Sequence, residues 1–126
     1  MTTMAYAQNR IASMKAFNAG VRAMQEGDES KAVEEWQRAW ELDDTLVVAL
    51  HNLIAHAEDR GDEEAIIDRY GELLRFDPFD TRAWIRRGAA YRRSGNLQAA
   101  SGCYRQAIDL YPHFRFWYLE LADILD

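Results

Sequence analysis

The chain is poor in the residues that define several classes of small protein. It has one cysteine, Cys103, in 126 residues, so it forms no internal disulfide and supplies no thiolate cluster for a metal. Two prolines and seven glycines exclude a collagen-like chain or a flexible linker. No segment approaches the roughly 18 uninterrupted apolar residues of a membrane span. These absences indicate a globular domain that does not insert into a membrane.

The first residues and the charge balance exclude further classes of protein. Residues 1–8 lack the basic start and the apolar core of a secretory signal peptide, so we expect a cytoplasmic protein. The formal net charge is −6, which disfavours nucleic acid and anionic lipid as partners. Apolar residues make up 48% of the chain, which is enough for a folded core and too many for a disordered acidic tail.

Motifs of catalysis and metal binding are also lacking. The chain has no nucleophile elbow, no glycine-rich phosphate loop and no zinc motif. His51 and His56 are five residues apart, which is about 140° around a helix, so they do not share a metal ion. We therefore predict no enzymatic activity, no cofactor and no metal site.

The chain does contain a repeated pattern with a period of 34 residues. Gly27, Gly61 and Gly95 are 34 residues apart, and each precedes an aspartate or an asparagine. Glycine closes the C-terminus of a helix because it adopts the left-handed conformation, and the following polar side chain caps the next helix. Sustained period-two alternation, the pattern of strands, is absent. The sequence thus predicts an all-α fold built from helix pairs. The three predicted pairs are 13–46, 47–80 and 81–114.

A 34-residue helix pair with these markers resembles the tetratricopeptide repeat (TPR) family. The third unit carries the signature most completely, and the first two keep parts of it. The resemblance implies one domain, 1–126, in which antiparallel helix pairs stack into a right-handed superhelix, an α-solenoid. We expect residues 1–12 to form an N-terminal helical extension and residues 115–126 a capping helix. The signature residues of the third unit are Trp84, Gly88, Tyr91, Ala100, Tyr104, Ala107 and Pro112.

In such a stack the first helix of each repeat lines a concave groove, as the resemblance implies. The signature positions share one side of the helix and face the packed interior, so the opposite side faces the groove. In the first unit that side carries large apolar residues, including Met14 and Phe17, which predicts an adaptable apolar pocket for a ligand. The alternative is that residues 1–12 or a partner subunit cover these side chains.

The groove side of the third unit is basic. Arg82, Arg86 and Arg93 share one face, and residues 81–114 carry six basic side chains and one acidic side chain. Like charges one turn apart repel each other. Either acids of neighbouring helices offset the arginine charges, or the arginines form an anion site. Guanidinium groups bind carboxylates through two parallel hydrogen bonds. We predict the anion site. The full set of predicted peptide-binding residues is Met14, Phe17, Asn18, Val21, His51, Asn52, Arg82, Ile85, Arg86, Ala89 and Arg93.

Co-chaperone members of the family hold the C-terminal carboxylate of a heat-shock chaperone with a five-residue clamp. Asn52, Arg82 and Arg86 fall at three of its places, with arginine for lysine at the first basic one. Phe17 and Val21 occupy the two places where the family carries lysine and asparagine. The resemblance therefore implies a modified groove, apolar at one end and basic at the other, for a peptide with an apolar anchor and an acidic group.

These observations predict a non-catalytic protein-interaction module, such as an adaptor, a scaffold or a chaperone-like factor. The alternative is a structural homo-oligomer whose groove is filled by its own N-terminal segment or by a second subunit. The apolar segment 114–119 favours a homodimer or a chain cut from a longer repeat array, because terminal repeats normally present a polar face.

Several single residues carry predictions of their own. Cys103 is expected to be a buried small apolar residue rather than a nucleophile. Arg87 stands at a packing position, where it is expected to reach the surface or to pair with Glu120 or Asp123. The tryptophans expected in the core are Trp36, Trp40 and Trp84.

Overall fold

A computed structural model of the chain describes residues 2–113. Within these residues it contains six α-helices and no strand, which confirms the all-α prediction. The predicted capping helix and the apolar segment 114–119 lie outside the described residues. The helices are α1 (Thr3–Gln25), α2 (Glu29–Leu42), α3 (Val47–Arg60), α4 (Glu63–Phe76), α5 (Thr81–Arg93) and α6 (Leu97–Leu110).

The turn at each of the three spaced glycines has the predicted chemistry. Gly27, Gly61 and Gly95 have φ angles of 81°, 63° and 89°, the left-handed region that glycine adopts without a Cβ clash. The residue after each glycine donates its backbone N–H to a helix carbonyl five residues earlier, as Asp28 does to Ala23 at 2.8 Å. This bond is the signature of a Schellman motif. The glycines therefore end α1, α3 and α5.

The same polar residue then begins the next helix. The Asp28 carboxylate accepts the backbone N–H of Lys31 at 3.1 Å, and the Asp62 carboxylate accepts that of Ala65 at 3.2 Å. Asn96 caps α6 in the same way through Ala99. Each such cap satisfies a backbone donor that the first turn leaves free, which stabilises a helix by about 1 kcal/mol.

The chain divides into two compact units, Met1–His56 and Ala57–Asp126. In the first unit the core cluster contains Ala23, Ala32, Trp36 and Leu53. Trp36 is 5% exposed and Trp40 9% exposed, which confirms both as core residues. The small residue Gly20 of α1 makes room for the Trp36 ring, which lies directly against it.

In the second unit the core cluster contains Ala100 and Tyr104, with Ile85 and Tyr91 packed against it. Cys103 is buried, as predicted, and unpaired, and burial raises the pKa of its thiol. Trp84 is only partly buried, and its indole N–H donates to the Pro78 carbonyl at 2.9 Å. The prediction that Trp84 lies in the core was therefore only partly right, because its N–H is used to fix the α4–α5 turn.

Candidate peptide-binding surfaces

The predicted groove residues are all at least partly open to solvent, and the signature residues beside them are mostly buried. In α1, Met14 and Asn18 are exposed, whereas Ala16 and Ala23 are 4% and 2% exposed. In α3, His51 is exposed and Asn52 is partly buried. In α5, the three arginines of the predicted groove are exposed and the two apolar residues are partly buried. The arginines are Arg82, Arg86 and Arg93, and the apolar residues are Ile85 and Ala89.

On α1 the large apolar residues of the predicted pocket divide into two groups. Phe17 is partly buried and packs against the core cluster of the first unit, as Met24 does. Val21 is also partly buried, whereas Met14 is 50% exposed. Phe17 thus contributes to the stability of the unit as well as to its surface, and Met14 presents its side chain to solvent.

Residues 3–12 do not cover the exposed side of α1. The helix runs without a break from Thr3 to Gln25, so these residues continue its axis and do not fold back along it. Ile11, in this extension, is itself 56% exposed. Exposed apolar side chains of α1 therefore lie both in the first repeat and in the helical extension before it.

One polar cluster of the first unit was not predicted from the sequence. Asp43 is 6% exposed, and its Oδ1 accepts the Thr45 backbone N–H at 3.0 Å and the Thr45 hydroxyl at 2.6 Å. Arg10 lies 3.5 Å from its other carboxylate oxygen. Burial opposes ionisation of Asp43, but the bonds from Thr45 and the charge of Arg10 outweigh it and lower its pKa. This cluster lies at the α2–α3 turn.

In the second unit Arg86 lies in a network with Glu58 and Tyr70. Its Nη1 donates to Glu58 Oε2 at 3.0 Å, and the Tyr70 hydroxyl donates to Glu58 Oε1 at 2.6 Å. Burial, together with the hydrogen bond to the Glu58 carboxylate, raises the pKa of Tyr70 to about 12. The Tyr70 phenol and the Glu58 carboxylate both raise the pKa of Arg86. Arg86 is therefore a permanent cation whose side chain is still 46% exposed.

The other arginines of α5 differ in their surroundings. Arg93 Nε donates to Glu63 Oε1 at 2.7 Å while 55% of its side chain stays exposed. Arg82 is exposed and has no ion-pair partner among residues 2–113. Acids of α3 and α4 thus pair with two of the three predicted anion-binding arginines, and no acid within the described residues pairs with the third.

Arg87 is partly buried and makes two contacts that the sequence did not predict. Its Nε donates to the backbone carbonyl of Ile67 at 2.9 Å, and its guanidinium carbon lies 5.4 Å from the centre of the Tyr91 ring. Gly71 makes room for it, because a Cβ added there would lie 2.6 Å from Arg87 Nη2. Glu120 and Asp123 lie outside the described residues. Arg87 therefore joins α5 to α4 through a backbone carbonyl, a partner that periodicity does not reveal.

Neither a metal site nor a membrane helix is found in the part of the chain that the structure describes. No group of three or more His, Cys, Asp or Glu side chains among residues 2–113 could hold a metal ion. No helix within the same residues is both long enough and apolar enough to cross a membrane.

The sequence comparisons identify the repeat. Residues 81–114 match the model of the tetratricopeptide repeat family. An 86-residue stretch is 31% identical to Superkiller protein 3 of Saccharomyces cerevisiae. That match covers 58% of this chain and 6% of the yeast protein, so the chain spans a small fraction of this relative's length.

Solved structures match the fold over nearly the whole chain. The N-terminal domain of stress-induced protein-1 from C. elegans has a TM-score of 0.70 at 15% identity, covering 94% of this chain and 98% of that one. The second TPR domain of human RPAP3, in complex with the HSP70 peptide SGPTIEEVD, has a TM-score of 0.65 at 20% identity and covers 96% and 98%. Residues 81–114 thus form a tetratricopeptide repeat, and the six helices have the fold of the tetratricopeptide repeat family.

Proposed function

We propose that the chain is a non-catalytic protein-interaction module that binds a peptide segment carrying acidic and apolar groups. One observation carries the proposal: Arg82, Arg86 and Arg93 form an exposed row on α5, and about half of each side chain of Arg86 and Arg93 stays exposed despite their ion pairs. Exposed like charges repel, and this repulsion falls when an acidic ligand binds between them. The three repeats at 13–46, 47–80 and 81–114 and the cytoplasmic location belong to the same proposal.

The arginine row keeps binding capacity despite its internal ion pairs. A guanidinium group has five N–H donors, and Arg86 uses Nη1 on Glu58 while nearly half of its side chain stays exposed. Arg82, one turn away, has no carboxylate to displace among residues 2–113. A ligand carboxylate is therefore expected to bind Arg82 first and to share or exchange Arg86 with Glu58.

The solved relatives support a peptide as the ligand. The peptide bound to the human RPAP3 domain, SGPTIEEVD, is acidic, and an acidic segment suits the charge of α5. Phe17 and Val21 replace the polar residues that the co-chaperone clamp carries, so we propose a different peptide, with an apolar anchor. On the first unit, Met14 is the exposed apolar residue beside them and a candidate contact for an apolar group of a ligand.

The test is affinity capture with the immobilised chain, read by mass spectrometry. The double variant Arg82→Glu/Arg86→Glu is compared with wild type and with Arg75→Glu/Arg105→Glu, which changes the charge equally at exposed arginines of α4 and α6. We expect proteins that wild type and the control retain and that the α5 variant loses. Retention by all three chains would refute the arginine row as the binding site.

A further inference from the structure

The exposed side of α1 carries a regular stripe that the arginine row does not involve. Its members recur at alternating spacings of three and four residues, the heptad pattern by which two helices pack side by side. Met4, Ile11 and Met14 are 73%, 56% and 50% exposed, so the stripe is open to solvent. We call it the α1 stripe, and it consists of Met4, Ala7, Ile11, Met14, Asn18 and Val21.

The width of the α1 stripe suits a single partner helix. At about 100° per residue its six positions stay within roughly 100° of the helix circumference and drift about 20° per heptad. A helix that lies on a membrane presents a broader apolar face. Asn18 interrupts the apolar residues at a seam position, where a polar side chain fixes the register of two helices.

The charges of α1 indicate what kind of helix fits. Residues Thr3–Gln25 include three cations and no carboxylate, although the whole chain carries −6. Lys15 and Arg22 have no ion-pair partner among residues 2–113, and Arg10, which contacts Asp43, keeps 51% of its side chain exposed. A second copy of α1 would bring cations against cations. Carboxylates beside the apolar residues of a partner helix would instead neutralise these charges.

We propose that the α1 stripe docks an acidic amphipathic helix of a partner protein. The partner presents apolar residues at heptad spacing against Met4, Ile11 and Met14, a polar residue opposite Asn18, and Asp or Glu side chains toward Lys15 and Arg22. The inference rests on the proposed role as an interaction module. It shares Met14 with that role and extends the contact surface along α1, upstream of the first repeat.

The probe is a synthetic peptide of three heptads with glutamate on both flanks and leucine at the seam, except for one asparagine at the seam position that meets Asn18. Glutamate keeps the peptide from pairing with itself near pH 7. A peptide with glutamine in place of glutamate is its control. We expect the acidic peptide to bind the full chain about tenfold more tightly than the glutamine peptide at low salt. Methyl NMR signals of Met4, Ile11 and Met14 are expected to shift on binding.

Two double variants separate the stripe from general charge effects. Lys15→Glu/Arg22→Glu is expected to weaken binding about tenfold, and Lys31→Glu/Arg38→Glu, which reverses two exposed cations of α2, to leave it unchanged. Ile11→Ser/Met14→Ser, at half-exposed positions, should also weaken binding without loss of circular dichroism. Equal binding of the two peptides, or no saturable binding up to about 1 mM, would overturn the proposal.

Two other occupants of the α1 stripe are outcomes of the same test. A dimer in sedimentation that Ile11→Ser/Met14→Ser dissociates would assign the stripe to a second copy of the chain. Binding to phosphatidylserine vesicles that Lys15→Glu/Arg22→Glu abolishes would assign it to an anionic membrane. Either outcome overturns the partner helix. Capture that depends on Arg82 and Arg86 would meanwhile leave the proposed function intact, so the two failures are distinguishable.

Discussion

At the scale of single residues, Gly20 allows the Trp36 ring to lie directly against α1. A Cβ added at Gly20 would lie 2.5 Å from Trp36 Cδ1 and Nε1 and 3.1 Å from the Ala32 carbonyl oxygen. The ring is buried and one neighbour is backbone, so neither can move away easily. The small residue at this signature position therefore has a packing role.

Gly20→Ala is expected to destabilise the chain by about 1–2 kcal/mol, because overpacking outweighs the gain in helix propensity. Gly102→Ala is the matched control, since a Cβ at Gly102 meets nothing within 4 Å. It should stabilise the chain by up to about 1 kcal/mol. Urea denaturation measures both, and equal effects of the two substitutions would contradict the packing role of Gly20.

Tyr70 predicts how the stability of the chain depends on pH. Its pKa is raised from 10.0 to about 12 in the folded chain, so the folded state holds the phenol proton more tightly than the unfolded state does. The stabilisation is complete below the unfolded pKa and is lost as the pH rises from 10.0 to about 12.

Tyr70→Phe should therefore flatten the fall in stability over this alkaline range. It should also remove one tyrosine from the late component of an absorbance titration at about 295 nm. Tyr6→Phe, which removes an exposed phenol of α1, is the matched control. A late component that is unchanged in Tyr70→Phe would show that Tyr70 does not donate to Glu58.

At the scale of helices, the turns were predictable from the sequence and the ion pairs were not. Gly27 and Asp28 fix a turn by local chemistry, so their pattern alone predicts where α1 ends and α2 begins. Glu58 and Arg86 are 28 residues apart, and their contact depends on how residues 57–60, at the end of α3, pack against α5 within the second unit and on the rotamers of both side chains. Periodicity predicted that Arg86 lies on an exposed face of α5, as it does, but could not name its partner.

The partial burial of Phe17 has the same kind of cause. A helical wheel assigns one direction to each side chain, but a long aromatic ring at the edge of a face reaches the core from there. Phe17 packs against the cluster around Trp36 for this reason. Met14, nearer the middle of the exposed face, was predicted to be open and is 50% exposed.

The contact between Glu58 and Arg86 predicts how α5 responds to the loss of one acid. Glu58→Gln removes the internal carboxylate that competes for Arg86, so acidic peptides should bind α5 about two- to fivefold more tightly. The stability should fall by less than about 1 kcal/mol, because both side chains are partly exposed. Glu64→Gln, at an exposed position of α4, changes the net charge equally and should leave affinity unchanged. Equal gains in the two variants would mean that only the net charge matters.

At the scale of the whole molecule, the net charge of −6 conceals two regions of opposite sign. Residues 13–80 contain most of the carboxylates, whereas residues 81–114 carry six basic side chains and one acidic side chain. The sum therefore says little about the ligand. We expect an acidic peptide to be attracted to the arginines of α5 and to the cations of α1, and to be repelled by the carboxylates of residues 26–80.

The most direct measurement of the central claim is the binding preference of the chain on an array of random peptides. Wild type and the control Arg75→Glu/Arg105→Glu should select peptides that combine Asp or Glu with an apolar residue. The Arg82→Glu/Arg86→Glu variant should lose the preference for acidic peptides and should select basic peptides instead. The same acidic preference in all three chains, or no selected peptide in any, would contradict the account.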